Sequence, residues 1–338
     1  MRAFVFEDGF SLDALRLVER PDPKPGPRQA LVRVRASSLN YRDLVVASGG
    51  YGRHVKLPLI PLSDGAGEVV EVGSQVTRVK PGSQVAAIFM QSWLAGGLSE
   101  AKSRSALGGA RDGMLAEYVA LDEEGLVPVP GHLTCLEAAT LPCAAVTAWH
   151  ALVAEGGVQA GNTVLVLGTG GVSIFALQFA RLHGARVIAT SSSDQKLARA
   201  LALGASAGVN YRQTPEWGRQ VVELSGGDGV DHVVEVGGAG TLPQSFRAVR
   251  FGGRISLIGV LSEPGGQVDP RLLMAKGARL QGIYVGSREM FESMNRAIAF
   301  HQLRPVIDRV FPFAEAPEAL RCLKAAGHFG KIAIDHDA

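Results

Sequence analysis

The segment Val164-Leu-Val-Leu-Gly168-Thr-Gly170-Gly171-Val172-Ser173 sets a glycine-rich turn between an apolar strand pattern and a helical one. A dinucleotide pyrophosphate needs that order. Gly168 permits the turn, and Gly170 lets a phosphate approach the backbone. A helix starting near Gly171, with Val172 in its first turn, offers unpaired N–H groups and the positive end of its dipole. Ser173 stands where the fingerprint has its third glycine and is small enough to pack helix against strand. Alone the motif is weak, the plain alternative being an ordinary strand-to-helix turn.

The next strand ends in Thr190-Ser191-Ser192-Ser193, with no carboxylate at its tip. An acidic residue there binds a ribose 2′-hydroxyl and repels a 2′-phosphate. Hydroxyls of Ser191 and Ser192, the Lys196 ammonium and the Tyr211 phenol could instead surround a phosphate, so NADP(H) is the expected cofactor. The bland alternative is a polar serine turn with Lys196 solvating its helix. Asp194 is a nearby carboxylate that counts against this reading, although it can instead serve as an N-cap.

What must position these groups is an alternation of apolar strands and amphipathic helices running from Thr163 to about Gly286. TVLVLG, RVIATS, GVNY, VDHVVEVG, RISLIGV and ARLQGIYVG read as six strands with helices between them, which predicts a doubly wound parallel sheet. Before it, short β-like runs (Ala30–Ala36, Gly67–Val72, Gln84–Ile88, Ala116–Ala120) broken by Pro/Gly turns predict an irregular antiparallel β domain. After it, helical patterns over Arg288–His301 and Ala316–Ala326 return to the first domain. The fold class is therefore α/β, a β-rich domain of 1–143 and 287–338 interrupted by a nucleotide-binding domain of 144–286.

At 338 residues the chain has room for two cores. Its 34 basic and 32 acidic residues leave a net charge of +2, too weak a field for nucleic acid or an anionic membrane. The 42 glycines are scattered through apolar runs with no collagen-like period, as tight turns between packed elements would require. Cys135, Cys143 and Cys322 form neither a CxxC nor a disulfide framework, and no apolar stretch reaches a membrane-spanning length. A cytoplasmic protein acting on a small molecule is expected. The eight histidines show no HxxxH spacing.

Six segments, five of them new, sharpen this reading. They are Asn40-Tyr-Arg-Asp43, Pro61-Leu-Ser-Asp-Gly-Ala-Gly-Glu-Val-Val-Glu-Val-Gly73, Asp112-Gly-Met-Leu-Ala-Glu-Tyr-Val119, Leu141-Pro-Cys-Ala-Ala-Val-Thr-Ala-Trp-His150, the glycine turn and Gly327-His-Phe-Gly-Lys331. Together they resemble the medium-chain dehydrogenase/reductase superfamily over essentially the whole chain. That resemblance implies a GroES-like β domain joined to a Rossmann domain, and a homodimer through Rossmann edge strands. Zinc-dependent members carry Cys, His-Glu and Cys where this chain has Asn40, Ser63-Asp64 and Cys143, so the resemblance implies no catalytic zinc. Cys143 then reads as a buried apolar residue. Met90–Arg111 stands where such relatives have a structural-zinc lobe but lacks cysteine; an oligomer contact and a pocket rim are both open roles for it.

The chain further resembles the zinc-free quinone oxidoreductase and enone reductase branch. By that resemblance Asn40 is a donor or orienter and Tyr51, in Ser48-Gly-Gly-Tyr51, an enolate stabiliser or proton donor. The plain alternatives are a backbone cap for Asn40 and a rim residue for Tyr51. Asp43 reads as structural, paired with Arg42. Thr147 matches a threonine near the nicotinamide ring. Val236-Gly237, Ile258-Gly259-Val260 and Ile283-Tyr284-Val285 end strands at the carboxyl edge of the sheet, where cofactors lie. Lys331 is a cation able to reach a phosphate, with a solvated lysine as the alternative. Hydride addition to a conjugated alkene or quinone suits a site of organic donors, because the enolate needs hydrogen bonds rather than a Lewis acid. Alcohol oxidation and a non-catalytic NADPH-binding protein are the rival readings.

Overall fold

Period-two apolar runs become strands in the first part of the chain because alternate side chains can leave water together on one face. The computed structural model, which describes residues 1–52, 54–261 and 269–338, divides into two units. One comprises Met1–Val146 with Gly286–Ala338, the other Thr147–Val285.

The first unit holds β1 (Arg2–Phe6), β2 (Leu15–Glu19), β3 (Gln29–Ser38), β4 (Asp64–Val72), β5 (Gln84–Ala87), β6 (Tyr118–Asp122) and β7 (Leu126–Pro128), joined after the second unit by β14 (Ile307–Pro312) and β15 (Lys331–Asp335). β1 and β2 pair alone; the rest form a sheet of order β14-β15-β3-β4-β5-β7, with β6 also on β3. This is the GroES-like sheet. Its core includes Phe4, Val32, Leu62, Leu115, Phe313 and Ile334. The C-terminal helices run over Arg288–His301 and Ala316–Lys324.

Met90–Arg111, which contains no cysteine, folds onto this unit. Met90, Trp93 and Leu107 are buried. Ser92 donates its hydroxyl to Ser105 Oγ at 2.8 Å, Trp93 Nε1 donates to the Gly96 carbonyl at 2.7 Å, and Lys102 Nζ donates to the Ala95 and Gly97 carbonyls at 2.8 and 2.6 Å. Hydrogen bonds and buried aromatic surface do what thiolates around zinc do in the lobe it resembles.

The second unit is a parallel sheet of β8 (Thr163–Val166), β9 (Arg186–Ser191), β10 (Ala207–Asn210), β11 (Val230–Glu235), β12 (Val249–Leu257) and β13 (Arg279–Gly282). Their order is β10-β9-β8-β11-β12-β13, the doubly wound Rossmann arrangement with its switch point beside β8. β12 starts five residues before the Arg254 that the pattern suggested, because its first residue, Val249, pairs with Val230 ahead of a bulge. No helix among the described residues is long and apolar enough to cross a membrane.

His232 lies buried on β11 with Nε2 2.9 Å from Ser256 Oγ. Burial, helped by the Arg254 charge, pushes its pKa from 6.5 down to about 4. The unfolded chain therefore takes up a proton near pH 6.5 that the folded chain refuses, so this group's contribution is complete above that pH and is lost as pH falls toward 4. Urea unfolding of wild type and His232→Asn tests this: the difference in stability should move against wild type by about 2 kcal/mol between pH 7 and pH 5. A pH-independent difference would show that the imidazole is not held neutral by the fold.

Candidate functional site

In the second unit the glycine turn leaves β8 and enters the helix Gly171–Leu182. Gly168 has φ of +69°, a left-handed conformation that a side chain resists, and a Cβ placed on Gly168 or on Gly170 would meet nothing within 4 Å. Open space therefore covers the backbone of the turn. No side chain caps the helix, so its first N–H groups remain for an anion. Ser173 is buried and its hydroxyl donates to the Leu167 carbonyl at 2.6 Å, locking helix to strand. These residues fit the pyrophosphate of a nicotinamide dinucleotide.

At the tip of β9, Ser191 Oγ accepts from Ser193 N at 3.2 Å and the Ser191 carbonyl accepts from Tyr211 N at 3.1 Å. Ser191, half-buried Ser192 and exposed Tyr211 thus share one rim, next to the helix Asp194–Ala202 that carries Lys196 in its first turn. The cap of that helix differs from the expectation. Ser193 Oγ accepts from Lys196 N at 3.3 Å, while Asp194 sits one position inside and takes no capping role.

The three later strand exits are laced together at the carboxyl edge. Ile258 N donates to the Glu235 carbonyl at 2.8 Å, and Ile283 N to the Leu257 carbonyl at 2.9 Å. Gly259 passes so close that a Cβ there would lie 2.1 Å from the Val236 carbonyl oxygen. Glu235, unnoticed in the sequence, organises this edge. Its buried carboxylate accepts from Gly237 N at 2.7 Å, Gly238 N at 3.0 Å, Thr241 Oγ1 at 2.6 Å and the Ser245 hydroxyl. A lone glutamate ending an apolar strand before Gly-Gly was the available signal. Val260 and Tyr284 are exposed, and Thr147 is buried in the helical turn Val146–Trp149. Val285 has φ of +47°, an uncommon conformation for a β-branched residue, and its carbonyl lies 2.7 Å from His150 Nδ1.

The first unit gathers a second set of groups. Asn40 starts α1 (Tyr41–Ala47), and its backbone N–H donates to Asp43 Oδ2 at 2.8 Å. The ammonium of Lys331, at the start of β15, is buried and donates to the Leu39 carbonyl and to Asn40 Oδ1, each at 2.6 Å. Lysine only donates, which fixes the Asn40 amide with its oxygen toward Lys331. The amide nitrogen neighbours the Asp64 carboxylate and helps to hold its pKa down, yet Nδ2 is buried without a hydrogen bond of ordinary geometry. This placement corrects the expectation that Lys331 reaches a phosphate: its charge is spent inside the first unit.

Asp64 is fully buried. It accepts from Ser63 Oγ at 2.7 Å and from Cys143 N at 3.0 Å, an amide at the open N-terminal turn of the π-helical segment Leu141–Ala145. Burial raises its pKa and the nearby Lys331 charge pulls it back. Burial likewise pushes Asp43 to about 6, against the pull of Arg42, whose Nη1 lies 3.2 Å from Asp43 Oδ1. The Arg42 guanidinium stacks 4.1 Å from the centre of the Tyr51 ring and donates to the Leu107 and Gly108 carbonyls at 3.1 and 2.8 Å. Tyr51 is thereby tied to the Met90–Arg111 segment, a link no local pattern announces.

Zinc does not fit this cluster. Asn40 and Ser63 are poor ligands, burial with the Asp64 charge raises the Cys143 thiol pKa and disfavours thiolate, and the Lys331 ammonium already supplies the cation. No group of three or more His, Cys, Asp or Glu among the described residues could hold a metal ion.

Comparison with known proteins agrees with this architecture. Residues 26–131 match the family described as alcohol dehydrogenase GroES-like domain, and residues 171–299 the one described as zinc-binding dehydrogenase. A zinc-type alcohol dehydrogenase-like protein of Schizosaccharomyces pombe is 42% identical, over 100% of this chain and 99% of its own length. The chain belongs to the medium-chain dehydrogenase/reductase superfamily. A quinone oxidoreductase of Mus musculus is 28% identical over 92% of this chain and 90% of that protein. Among solved structures, an NAD-dependent alcohol dehydrogenase superposes with a TM-score of 0.91 at 35% identity, covering 99% of both chains. A 2-octenoyl-CoA carboxylase reductase, CinF, in complex with NADP and 2-octenoyl-CoA, does so with 0.86 at 29% identity, covering 99% of this chain and 87% of that one. This superfamily member is a zinc-independent, NAD(P)-dependent oxidoreductase, and its described residues do not make a zinc site.

Proposed function

We propose that this enzyme reduces an activated alkene or a quinone with NADP(H), in the cytoplasm and as a homodimer. The observation that carries the reading is the Lys331–Asn40 pair: an amide donor, buried and unsatisfied, is held in one orientation where zinc-dependent relatives place a ligand. A buried N–H without a partner is costly unless an acceptor arrives. An enolate oxygen is such an acceptor.

When bound, NADPH supplies the hydride for the β-carbon of the substrate. The protein's own groups then have three tasks. Asn40 Nδ2 donates to the oxygen on which negative charge develops, Lys331 keeps that amide from rotating, and Tyr51 or a water returns a proton to the α-carbon. Ser191, Ser192, Lys196 and Tyr211 form the rim that would take the 2′-phosphate. The relatives named quinone oxidoreductase and the NADP-bound reductase of an enoyl thioester support this choice of substrate class. For the dimer, β13 is an edge strand and Val260, Met274 and Tyr284 near it are exposed, a surface fit for a second copy of the chain. Sedimentation at monomer mass would overturn it.

The rival is alcohol oxidation, favoured by the 42% identical relative of that name. Initial rates with an enone, a quinone and primary alcohols, each with both nicotinamide cofactors, separate the two: turnover of alcohols alone defeats the proposal. Tyr51→Phe is expected to lower kcat about 10²-fold while leaving the NADPH dissociation constant unchanged, the signature of a group acting only in the transition state. Unchanged kcat removes Tyr51 from the proton step.

A further inference from the structure

We propose that Asn210 and Gln213 act as an amide clamp that holds Asp194 away from the ribose 2′-position and so determines preference for the 2′-phosphorylated cofactor. The inference rests on the NADP(H) reading above and names the residues that decide it. β9 ends at Ser191, and Asp194 is the first carboxylate after that tip. A carboxylate in this neighbourhood is the group that accepts from ribose hydroxyls and repels a phosphate. The absence of an acid on the strand tip itself is therefore not enough: a mobile Asp194 side chain at the start of the next helix can reach the same region.

The structure removes that option. Asn210 Nδ2 donates to Asp194 Oδ1 at 2.7 Å, and Gln213 Nε2 donates to Asp194 Oδ2 at 2.9 Å. Both carboxylate oxygens are engaged, from the exit of β10 and the loop after it. The Asn210 amide is itself oriented, because its Oδ1 accepts from Arg212 N at 3.1 Å and its nitrogen therefore faces the aspartate. Nor is Asp194 needed to cap its helix, since Ser193 does that. Fixing the exposed Asp194 and Gln213 side chains and the half-buried Asn210 costs rotamer entropy, and capping does not require it. Ser191, Ser192 and Tyr211 line the rim beside it with hydroxyl groups.

The test measures dissociation constants for NADPH and NADH by titration calorimetry on wild type, Gln213→Ala, the double variant Asn210→Ala/Gln213→Ala, and that double variant carrying Asp194→Ser. Wild type should bind NADPH more tightly. The preference should fall about threefold in Gln213→Ala and about tenfold in the double variant, as the freed carboxylate opposes the phosphate. Asp194→Ser in that background should restore it to within about twofold of wild type. An unchanged ratio in the double variant overturns the clamp. So does a loss that persists after Asp194→Ser, which would assign the effect to a distorted turn. Tighter NADH binding by wild type overturns the clamp and the NADP(H) reading together, whereas a wild-type NADPH preference with an indifferent clamp defeats the clamp alone.

Discussion

Lys331→Met is expected to lower the unfolding free energy by about 3–5 kcal/mol, the cost of leaving buried charge without its partner. The Lys331 ammonium is buried, donates to Leu39 O and Asn40 Oδ1, and balances the Asp64 and Asp43 carboxylates beside it. Methionine matches the length of the stem but brings no charge. Asp64 then keeps Ser63 Oγ, Cys143 N and the neighbouring Asn40 amide but no cation beside it, and Asp43 retains Arg42. The sign of the pH dependence follows. Both aspartates already have raised pKa values, Asp43 to about 6, and loss of the ammonium raises them further. Carboxylates whose folded pKa lies above the unfolded value bind protons on folding, so the deficit of Lys331→Met should shrink as pH falls from 8 to 5. Adding Asp64→Asn should recover much of the loss at neutral pH. Urea unfolding of the three proteins checks this. A single-variant loss below about 1 kcal/mol would show that water, not the ammonium, balances Asp64.

Asn40→Ala is expected to reduce kcat by about 10²–10³-fold on the best substrate of the panel, the usual cost of deleting one donor to a developing oxyanion. Asn40 has the requirements of such a donor: a buried N–H with no hydrogen-bond partner, on an amide whose other end is fixed at 2.6 Å by Lys331. A donor that needs no reorganisation is worth far more than one that must turn out of water. Because the cofactor turn belongs to β8 and the helix Gly171–Leu182, NADPH affinity should not move. Measuring kcat alongside the NADPH dissociation constant separates this from general damage, which would weaken both. A kcat within threefold of wild type would return Asn40 to a purely structural part, as the residue that opens α1 and meets the Lys331 ammonium.

Where local pattern carries the information, the sequence was legible. Gly168 and Gly170 announced a turn whose φ and open space the structure supplies, and six apolar runs announced six parallel strands. Ser173 packs as its size suggested. The helix Arg288–His301 has the limits its period gave. The cap role that the sequence allowed Asp194 falls to Ser193, because both residue types cap well and only backbone geometry says which residue lies outside the helix. The Lys331 contact was misread for a different reason. A lysine after Gly-His-Phe-Gly looks solvent-facing in sequence, whereas its partner Asn40 lies 291 positions away.

The sequence by itself determined the α/β architecture, the nucleotide turn and the loss of zinc ligands. Each of these follows from residue type and spacing within one segment, or from the segments that match the superfamily. Only the tertiary structure decided what replaced the metal and what silenced Asp194. Both answers depend on side chains from separate elements meeting at hydrogen-bond distance: β15 with the start of α1, and the β10 exit with the helix after β9. A periodic pattern encodes which face of an element is buried, but not which polar atom from another part of the chain arrives there.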